Sequence, residues 1–339
     1  MKLAAPRPVA LTGMAIASPF GCTPDDFWAG LLRGVAPVTP WRSTSFPELD
    51  VQVAPLGPEA FGRWLEQPLE RATALSCSLV EGALRDAGIA RTPRGTVLAI
   101  GTNFGEMMYL AKPPRPAPPR MMAHVAEAFG VDGPVLATPL ACAAGNVALA
   151  YAFDRVALGL APMAVAGGLD VIGDYDVGSF ELFGTLTQTL PRPFDRHRDG
   201  FLLSEGGAIF VLEPLDAARA RGARLLATIA GVGAAHDGAH PTRPDSSGRG
   251  LRSAIERALH EAGVSPHEVG YVNAHSPGTV ANDVGEAAAY RDVFGPRGVP
   301  VSSTKSVLGH AQGGANALEA AACVLCLERQ VLPPTHNVT

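Results

Sequence analysis

The chain has 339 residues, of which 47% are hydrophobic and 17% charged, so disorder is excluded and two domains, or one duplicated domain, are expected. Its formal net charge is −5 and no basic stripe stands out, which argues against nucleic acid as a partner. No apolar run reaches the roughly 18–20 residues that cross a bilayer, so we expect no membrane span.

The first elements alternate between strand and helix. An apolar run predicts a strand over residues 8–14, and a capped start at Thr23 predicts a helix over 27–32. Apolar residues at helical spacing predict a second helix over 68–87. A short apolar run over 96–101 is typical of a buried strand.

The most informative run surrounds Cys142. Residues 135–140 are apolar, 146–160 have a helical pattern, and 163–166 are apolar again, which predicts a strand–helix–strand unit. Cys142 lies at the turn from strand to helix, where the helix N-terminus would favour the thiolate and lower its pKa. Small neighbours such as Gly145 would leave room for a substrate. The residues alone allow two interpretations, a nucleophile or a small core cysteine.

The second half repeats this alternation. Strands are predicted over 225–232, 269–273 and 300–303, and helices over 250–263, 285–294 and 316–327. The pattern predicts a parallel or mixed sheet covered by helices, with candidate catalytic groups just beyond the strand ends. His275 and Lys305 follow two of these strands, although His275 could also be a hydrogen-bonded loop histidine. His310 follows five residues after Lys305, and Glu319 is the nearest plausible partner for that lysine.

The five cysteines, at positions 22, 77, 142, 323 and 326, are odd in number and irregularly spaced. This spacing disfavours a disulfide framework and favours a reducing, cytoplasmic compartment. Cys323 and Cys326 form a C-x-x-C within an apolar helical stretch, so we interpret them as core residues. His236 and His240 are four residues apart, but the intervening glycine disfavours a helix. We therefore predict no metal site.

Four segments, taken together, resemble a known family. They are Ala141-Cys142-Ala143; Arg192-Pro193-Phe194-Asp195-x-x-Arg198-Asp199-Gly200-Phe201 running on to Glu205; Asn273-Ala274-His275 with Asn282-Asp283 and Glu286; and Ser303-Thr304-Lys305-Ser306-x-x-Gly309-His310. They occur in the same order as the Cys–His–His signature of the β-ketoacyl synthases, which build fatty acids and polyketides. Each segment alone is a weak signal, whereas four in order are specific.

The resemblance implies an α/β fold of the thiolase type, with αβαβα layers and two pseudo-duplicated halves. The first half would span residues 1–214 and carry Cys142, and the second would span 215–339 and carry His275 and His310. Most members of the family are dimers through the strand near the nucleophile helix, so a homodimer or heterodimer is expected. The partners implied are an acyl carrier protein or coenzyme A thioesters, and no cofactor beyond these phosphopantetheine thioesters.

The resemblance also implies roles for single residues. Cys142 would accept an acyl group, and His275 and His310 would hydrogen-bond the thioester oxygen of a malonyl-type extender. Lys305 would set the charge around His310 and pair with Glu319. Glu205 would be a buried structural acid of the same network, Asp283 and Glu286 would be further supporting acids, and Thr279 would touch the pantetheine arm.

Three features depart from the family pattern. Members of the family continue past the Pro333-Pro334-Thr335 segment into two closing strands and a Gly-Phe-Gly-Gly type loop. The second half is therefore expected to be truncated, to be completed by a partner chain or segment, or to have altered chemistry. Pro277 replaces one of two hydroxyl residues expected near the pantetheine arm and stiffens the turn. A proline-rich stretch over 112–120, expected as an exposed loop, stands where the family has a longer helical cap.

Two other functions remain compatible with the sequence. A non-decarboxylating acyltransferase or thioesterase would use Cys142 without needing both histidines. A chain-length-factor-like partner subunit would need none of the three residues, and the presence of all three argues against it.

Overall fold

The computed structural model describes residues 6–43, 46–67, 69–103, 105, 120–240 and 243–339. The proline-rich stretch 112–120 lies outside these residues except for Arg120. Within the described part of the chain, no helix is long and apolar enough to cross a membrane.

The strands are β1 (Val9–Ala17), β2 (Thr39–Pro40), β3 (Gln52–Ala54), β4 (Val97–Gly101), β5 (Val135–Thr138), β6 (Ala164–Asp170), β7 (Leu203–Ser204), β8 (Gly206–Pro214), β9 (Ala227–Ile229), β10 (Val272–Asn273) and β11 (Val301–Ser302). The helices are α1 (Pro24–Arg33), α2 (Arg71–Asp86), α3 (Arg120–Ala128), α4 (Ala144–Ala157), α5 (Asp174–Leu182), α6 (Leu215–Ala220), α7 (Arg249–Ala262), α8 (Val280–Phe294), α9 (Lys305–Leu308) and α10 (Ala315–Arg329). Every strand and helix predicted from the sequence overlaps one of these elements.

A six-stranded mixed sheet forms the largest layer, with strand order β5-β4-β6-β8-β1-β9. Strands β4, β5 and β6 are parallel to each other, whereas β8 runs antiparallel to both β6 and β1. Side chains alternate between the two faces: Val97 and Ala99 join one apolar core, and Leu98 and Ile100 join the other. Burial on both faces explains why β4, β6 and β8 are almost continuously apolar.

Helices and a second sheet complete the predicted layers. Helices α2 and α3 cover one face of the large sheet, and α4 and α10 cover the other. Helix α10 also contacts β10, which pairs with β11 in a small parallel sheet. Helices α7 and α8 pack against each other and line a cavity with residues of β10. The resulting order is helix, sheet, helix, sheet, helix.

The same local turn introduces both central helices. A 3-10 turn over Ala141–Ala143 precedes α4, and another over Gln312–Gly314 precedes α10. Each turn begins with a non-glycine residue at positive φ, 49° at Ala141 and 52° at Gln312. This left-handed conformation is unfavourable for residues with a Cβ, so the surrounding packing must hold both turns in place.

Strand β8 (Gly206–Pro214) is absent from the sequence-based prediction, which names only the motif that precedes it and ends at Glu205. All nine of its residues are buried and it pairs with both β1 and β6. The signal was the short apolar run 208–212, which periodicity alone does not distinguish from a buried helix segment.

Candidate active site

Cys142 lies in the turn between β5 and α4, as the sequence predicts. Its side chain is half-buried, and the turn residues on either side of it are exposed. Gly145 serves packing and does not leave space for a substrate, which corrects the sequence-based expectation. A Cβ at Gly145 would lie 2.8 Å from the carbonyl oxygen of Gly313, so glycine allows the two central helices to approach closely.

His310 is fixed through its backbone and its ring. Its N–H donates to the carbonyl of Leu202 at 2.7 Å, and its carbonyl accepts from Ser204 N–H at 3.1 Å, so the first half of the chain holds it. The N–H of Gln312 donates to the Nδ1 atom at 3.0 Å. Because Nδ1 accepts, the neutral ring carries its proton on Nε2. That Nε2 atom lies 2.9 Å from Cys142 Sγ, so its N–H points at the sulfur.

His275 follows β10 and faces the other two residues. The ring centroids of His275 and His310 are 5.2 Å apart and their planes are nearly perpendicular, at 81°. The loop carrying His275 is held by Glu286 of α8. The two carboxylate oxygens of Glu286 accept hydrogen bonds from His275 N–H and Ser276 N–H, both at 2.6 Å, and from the Ser276 hydroxyl at 2.7 Å.

Asp283, one turn before Glu286 on α8, connects this loop to the motif over residues 192–201 in the first half. Its carboxylate accepts from Phe194 N–H at 2.8 Å and lies 3.8 Å from Arg198 Nε. Burial raises the pKa of Asp283, and the hydrogen bond from Phe194 opposes the shift. Asp283 and Glu286 therefore support the loop geometry, as the resemblance implies, without contacting the sulfur.

Lys305 is 2% exposed and its Nζ pairs with a carboxylate oxygen of Glu319 on α10. The second oxygen of Glu319 accepts from Asn316 Nδ2 at 3.2 Å. Burial lowers the pKa of Lys305 to about 8, while nearby carboxylates and Cys142 oppose that shift. The Lys305 ammonium places a positive charge close enough to act on the two imidazoles and the thiol.

The electrostatics keep both histidines neutral near pH 7. Burial first, and then the Lys305 charge, lower the pKa values of His275 and His310 well below 6.5. The pKa of Cys142 is raised, mainly by burial, although Lys305 and a backbone hydrogen bond lower it. The sequence-based expectation of a lowered pKa for this thiol is therefore not met, because the cost of desolvating the thiolate exceeds these two opposing effects.

Cys142, His275 and His310 also resemble a metal-ligand set, since their donor atoms all lie within 4.8 Å of one another. Thiolate and imidazole are ligands that zinc prefers. However, the hydrogen bond from Gln312 to Nδ1 leaves the proton of His310 on Nε2, the atom that faces the sulfur. A protonated nitrogen has no lone pair for a metal, so the arrangement suits hydrogen-bond donation better than coordination.

Two predicted site residues, Glu205 and Thr279, make no observed contact with this centre. Glu205 is fully buried and its bonds go to Arg71 at 2.7 and 2.8 Å and to the backbone N–H groups of Leu56 and Ile172. It is a structural acid, but of a network within the first half, which corrects its placement with Lys305. Thr279 is the N-cap of α8 and its side chain makes no capping hydrogen bond, so its contact with a pantetheine arm stays a prediction.

Of the C-x-x-C pair, interpreted from the sequence as core residues, Cys326 is buried and Cys323 is partly exposed. Cys323 and Cys326 lie on α10, and burial raises their pKa values to about 12 and about 11. His236 and His240 lie outside any helix, and each accepts a backbone N–H at Nδ1, from Gly238 and Arg243 respectively.

Two residues near the centre were missed by the sequence-based reasoning. The Phe201 ring centroid lies 5.1 Å from that of His310, so the aromatic ring packs against the imidazole. Its position at the end of the motif over residues 192–201 could have indicated it in the sequence. Asp170, the last residue of β6, is 1% exposed and accepts a hydrogen bond from Gly313 N–H at 2.7 Å. Its position at the end of a buried strand that contains two glycines could have marked it.

Comparisons with known proteins show which families and relatives the chain is similar to. A model of the beta-ketoacyl synthase N-terminal domain matches residues 6–218, and a model of the C-terminal domain matches residues 226–339. The tetracenomycin polyketide synthase ketoacyl synthase alpha subunit of Streptomyces glaucescens is 32% identical over 98% of this chain and 88% of its own length. The 3-oxoacyl-[acyl-carrier-protein] synthase 2 of Synechocystis is 33% identical over 97% of this chain and 88% of its own length.

Solved structures confirm the predicted fold class. The ishigamide ketosynthase/chain length factor has a TM-score of 0.91 and 33% identity, covering 99% of this chain and 89% of its own. A beta-ketoacyl synthase from Burkholderia phymatum has a TM-score of 0.87 and 30% identity, covering 98% of this chain and 89% of its own. The thiolase-like α/β fold expected from the sequence is therefore correct.

Proposed function

Since this chain belongs to the β-ketoacyl synthase family and is an acyltransferase of that type, we propose that Cys142 carries the acyl group and that His275 and His310 serve the decarboxylation. The observation that carries the proposal is the 2.9 Å contact between the Nε2 atom of His310 and the sulfur, with the second imidazole beside it.

The first step is transfer of an acyl group onto Cys142. The thiolate attacks the carbonyl carbon of an acyl thioester, the new C–S bond forms, and the carrier thiol leaves with the proton that the cysteine gave up. The Nε2–H of His310 donates toward the sulfur and favours its anion, which offsets part of the burial that raises the pKa of Cys142.

The second step is decarboxylation of a malonyl-type thioester. The C–C bond to the carboxylate breaks, CO₂ leaves, and the electron pair is delocalised onto the thioester oxygen as an enolate. N–H donors from His275 and His310 would stabilise that oxygen. Both rings act as neutral imidazoles, so each donates a hydrogen bond without carrying a second proton. The enolate carbon then attacks the acyl carbonyl, the bond to Cys142 breaks, and a proton from solvent restores the thiol.

Lys305 would adjust the charge for both steps. Its ammonium lowers the pKa values of His275 and His310, which keeps the rings neutral, and it also lowers the pKa of Cys142, which favours the thiolate. Glu319 holds the ammonium in place. Lys305 thus contributes to catalysis by its charge and not by proton transfer.

We also propose the assembly and setting that the resemblance implies. An acyl carrier protein would deliver the substrates, as in a neighbouring structure of a type II polyketide ketosynthase with its carrier protein. The edge strand β5, with exposed Val135, supports a homodimer or heterodimer through that strand. The reaction would need no cofactor besides phosphopantetheine thioesters. Five free cysteines support a cytoplasmic location.

The division into halves at 1–214 and 215–339 stays a prediction. Of the alternative functions, the chain-length-factor-like subunit is supported by one observation, the similarity to the ishigamide ketosynthase/chain length factor. The arrangement of Cys142 with two neutral imidazoles favours the condensing enzyme, because a subunit without chemistry gains nothing from a buried cation beside them. A thioesterase would not require the second histidine.

The proposal is tested by intact-mass spectrometry after incubation with a panel of acyl thioesters. One acyl adduct is expected on the wild type and none on Cys142→Ala, which removes only the sulfur. In parallel, CO₂ release from a malonyl thioester is expected from the wild type and is expected to fall about 10²–10³-fold in His310→Ala, which removes one oxyanion donor. An adduct that persists in Cys142→Ala, or full decarboxylation by His310→Ala, would refute the assignment.

A further inference from the structure

We propose that Asp170 is a positioning residue for His310, and that it acts through the turn Gln312–Gly314. The part of the test that measures decarboxylation rests on the function proposed above, whereas the part that measures the reactivity of Cys142 does not.

Asp170 joins three segments of the chain at the end of β6. Its Oδ1 accepts the Thr102 hydroxyl at 2.5 Å, and Asn103 N–H lies 3.0 and 3.2 Å from its two oxygens. Its Oδ2 accepts Gly313 N–H at 2.7 Å. The last contact crosses from the first half of the chain to the turn that follows His310. Because the carboxylate is 1% exposed, water does not compete for these donors.

Two consecutive backbone N–H groups of this turn perform different tasks. Gln312 donates to Nδ1 of His310, and Gly313 donates to Asp170. Gln312 has a φ of 52°, a conformation that disfavours residues with a Cβ and must be held by outside contacts. A Cβ at Gly313 would lie 2.9 Å from Asp170 Oδ2, so glycine permits the carboxylate to approach. The carboxylate therefore holds the peptide whose neighbour sets the tautomer of His310.

Asp170 also acts on the thiol through its charge, since its carboxylate contributes to raising the pKa of Cys142. A substitution can thus change the site in two ways, by releasing the turn or by removing a negative charge. The two effects change the reactivity of the Cys142 thiol in opposite directions. Loss of the charge favours the thiolate, whereas loss of the His310 hydrogen bond disfavours it.

Two variants separate these effects. In Asp170→Asn the amide oxygen can still accept Gly313 N–H while the NH₂ group donates to the Thr102 hydroxyl, so the turn stays held and only the charge is lost. In Asp170→Ala both the charge and the acceptor are lost. Thr102→Val is the matched control, because it removes a buried hydrogen bond to the same carboxylate, and the one from Gly105 N–H to the hydroxyl, but keeps the acceptor of Gly313 N–H.

The experiment measures the second-order rate of Cys142 alkylation by iodoacetamide against pH, for Asp170→Asn and Asp170→Ala, each with His310 intact and with His310→Ala. With His310 intact, we expect the Asp170→Ala variant to react about tenfold more slowly than the Asp170→Asn variant, within the range of coupling seen in one hydrogen-bond network. With His310→Ala, the two should agree within about twofold. An equal difference in both backgrounds would overturn the proposal.

If Asp170→Ala does not fold, Asp170→Glu replaces it, because glutamate keeps the charge but displaces the carboxylate from Gly313. The same comparison applies, with wild type in place of Asp170→Asn. Decarboxylation of a malonyl thioester supplies a second readout: Asp170→Ala should lose about 10²-fold while Thr102→Val stays within about threefold. No decarboxylation by wild type would refute the proposed function, and the alkylation comparison would still decide the role of Asp170.

Discussion

Replacing Glu286 by glutamine tests how far the loop that carries His275 depends on one buried carboxylate. The side chain is 3% exposed and accepts five hydrogen bonds. One oxygen accepts from His275 N–H and the Tyr290 hydroxyl. The other accepts from the N–H and hydroxyl of Ser276 and from the Asn282 amide. A glutamine keeps only one acceptor oxygen, so one of these two groups must face an NH₂ donor.

The less costly orientation keeps the oxygen on the side that has three donors. The Tyr290 hydroxyl can rotate to accept from the new NH₂ group, whereas the N–H of His275 cannot and is left without a partner. Leaving one buried donor unpaired costs about 1–3 kcal/mol of the free energy of unfolding. The same change displaces His275, and a displacement of about 1 Å can lower the rate of decarboxylation about 10²-fold.

Urea denaturation and malonyl thioester decarboxylation measure the two effects. Glu268→Gln is the matched control: Glu268 also accepts from a backbone N–H and a serine hydroxyl, both of Ser265, but it is exposed and lies in a capping box that glutamine can close. We expect the control to change the free energy of unfolding by less than about 0.5 kcal/mol. A Glu286→Gln protein with wild-type stability and wild-type decarboxylation would refute the reasoning.

The remaining predictions concern charge. The imidazole pKa values lie well below 6.5, so the rings stay neutral as the pH falls through 6.5; decarboxylation should stay within about twofold from about pH 7.5 to that point, and a pH–rate profile that halves there would contradict it. Lys305→Met removes the cation that lowers the pKa of Cys142, so iodoacetamide should alkylate the thiol more slowly at pH 7; unchanged alkylation would exclude this role. Arg71→Ala leaves Glu205 buried without its cation and should cost about 3 kcal/mol in urea denaturation, against less than about 1 kcal/mol for Arg63→Ala in an exposed pair. Equal costs for the two arginines would show that the buried pair adds nothing.

The sequence predicted much of the framework because its signals are local. Apolar periodicity and a capping threonine placed α1, where the Thr23 hydroxyl accepts Asp26 N–H at 3.0 Å. The turn that presents Cys142 followed from an apolar strand, small residues and a helical pattern. Strand β8 was missed because periodicity alone does not distinguish a short, fully buried apolar run from a segment of a buried helix.

The sequence motifs identified Cys142, His275 and His310 as candidate site residues. Only the tertiary structure decided how the three interact. The tautomer of His310 depends on the backbone of Gln312, and the raised pKa of Cys142 depends on burial that neighbouring chain segments create. Asp170 gains its contact with Gly313 across 143 positions of the chain. Hydrogen bonds and desolvation act over a few ångströms in space, whereas sequence patterns report only which residues are close along the chain.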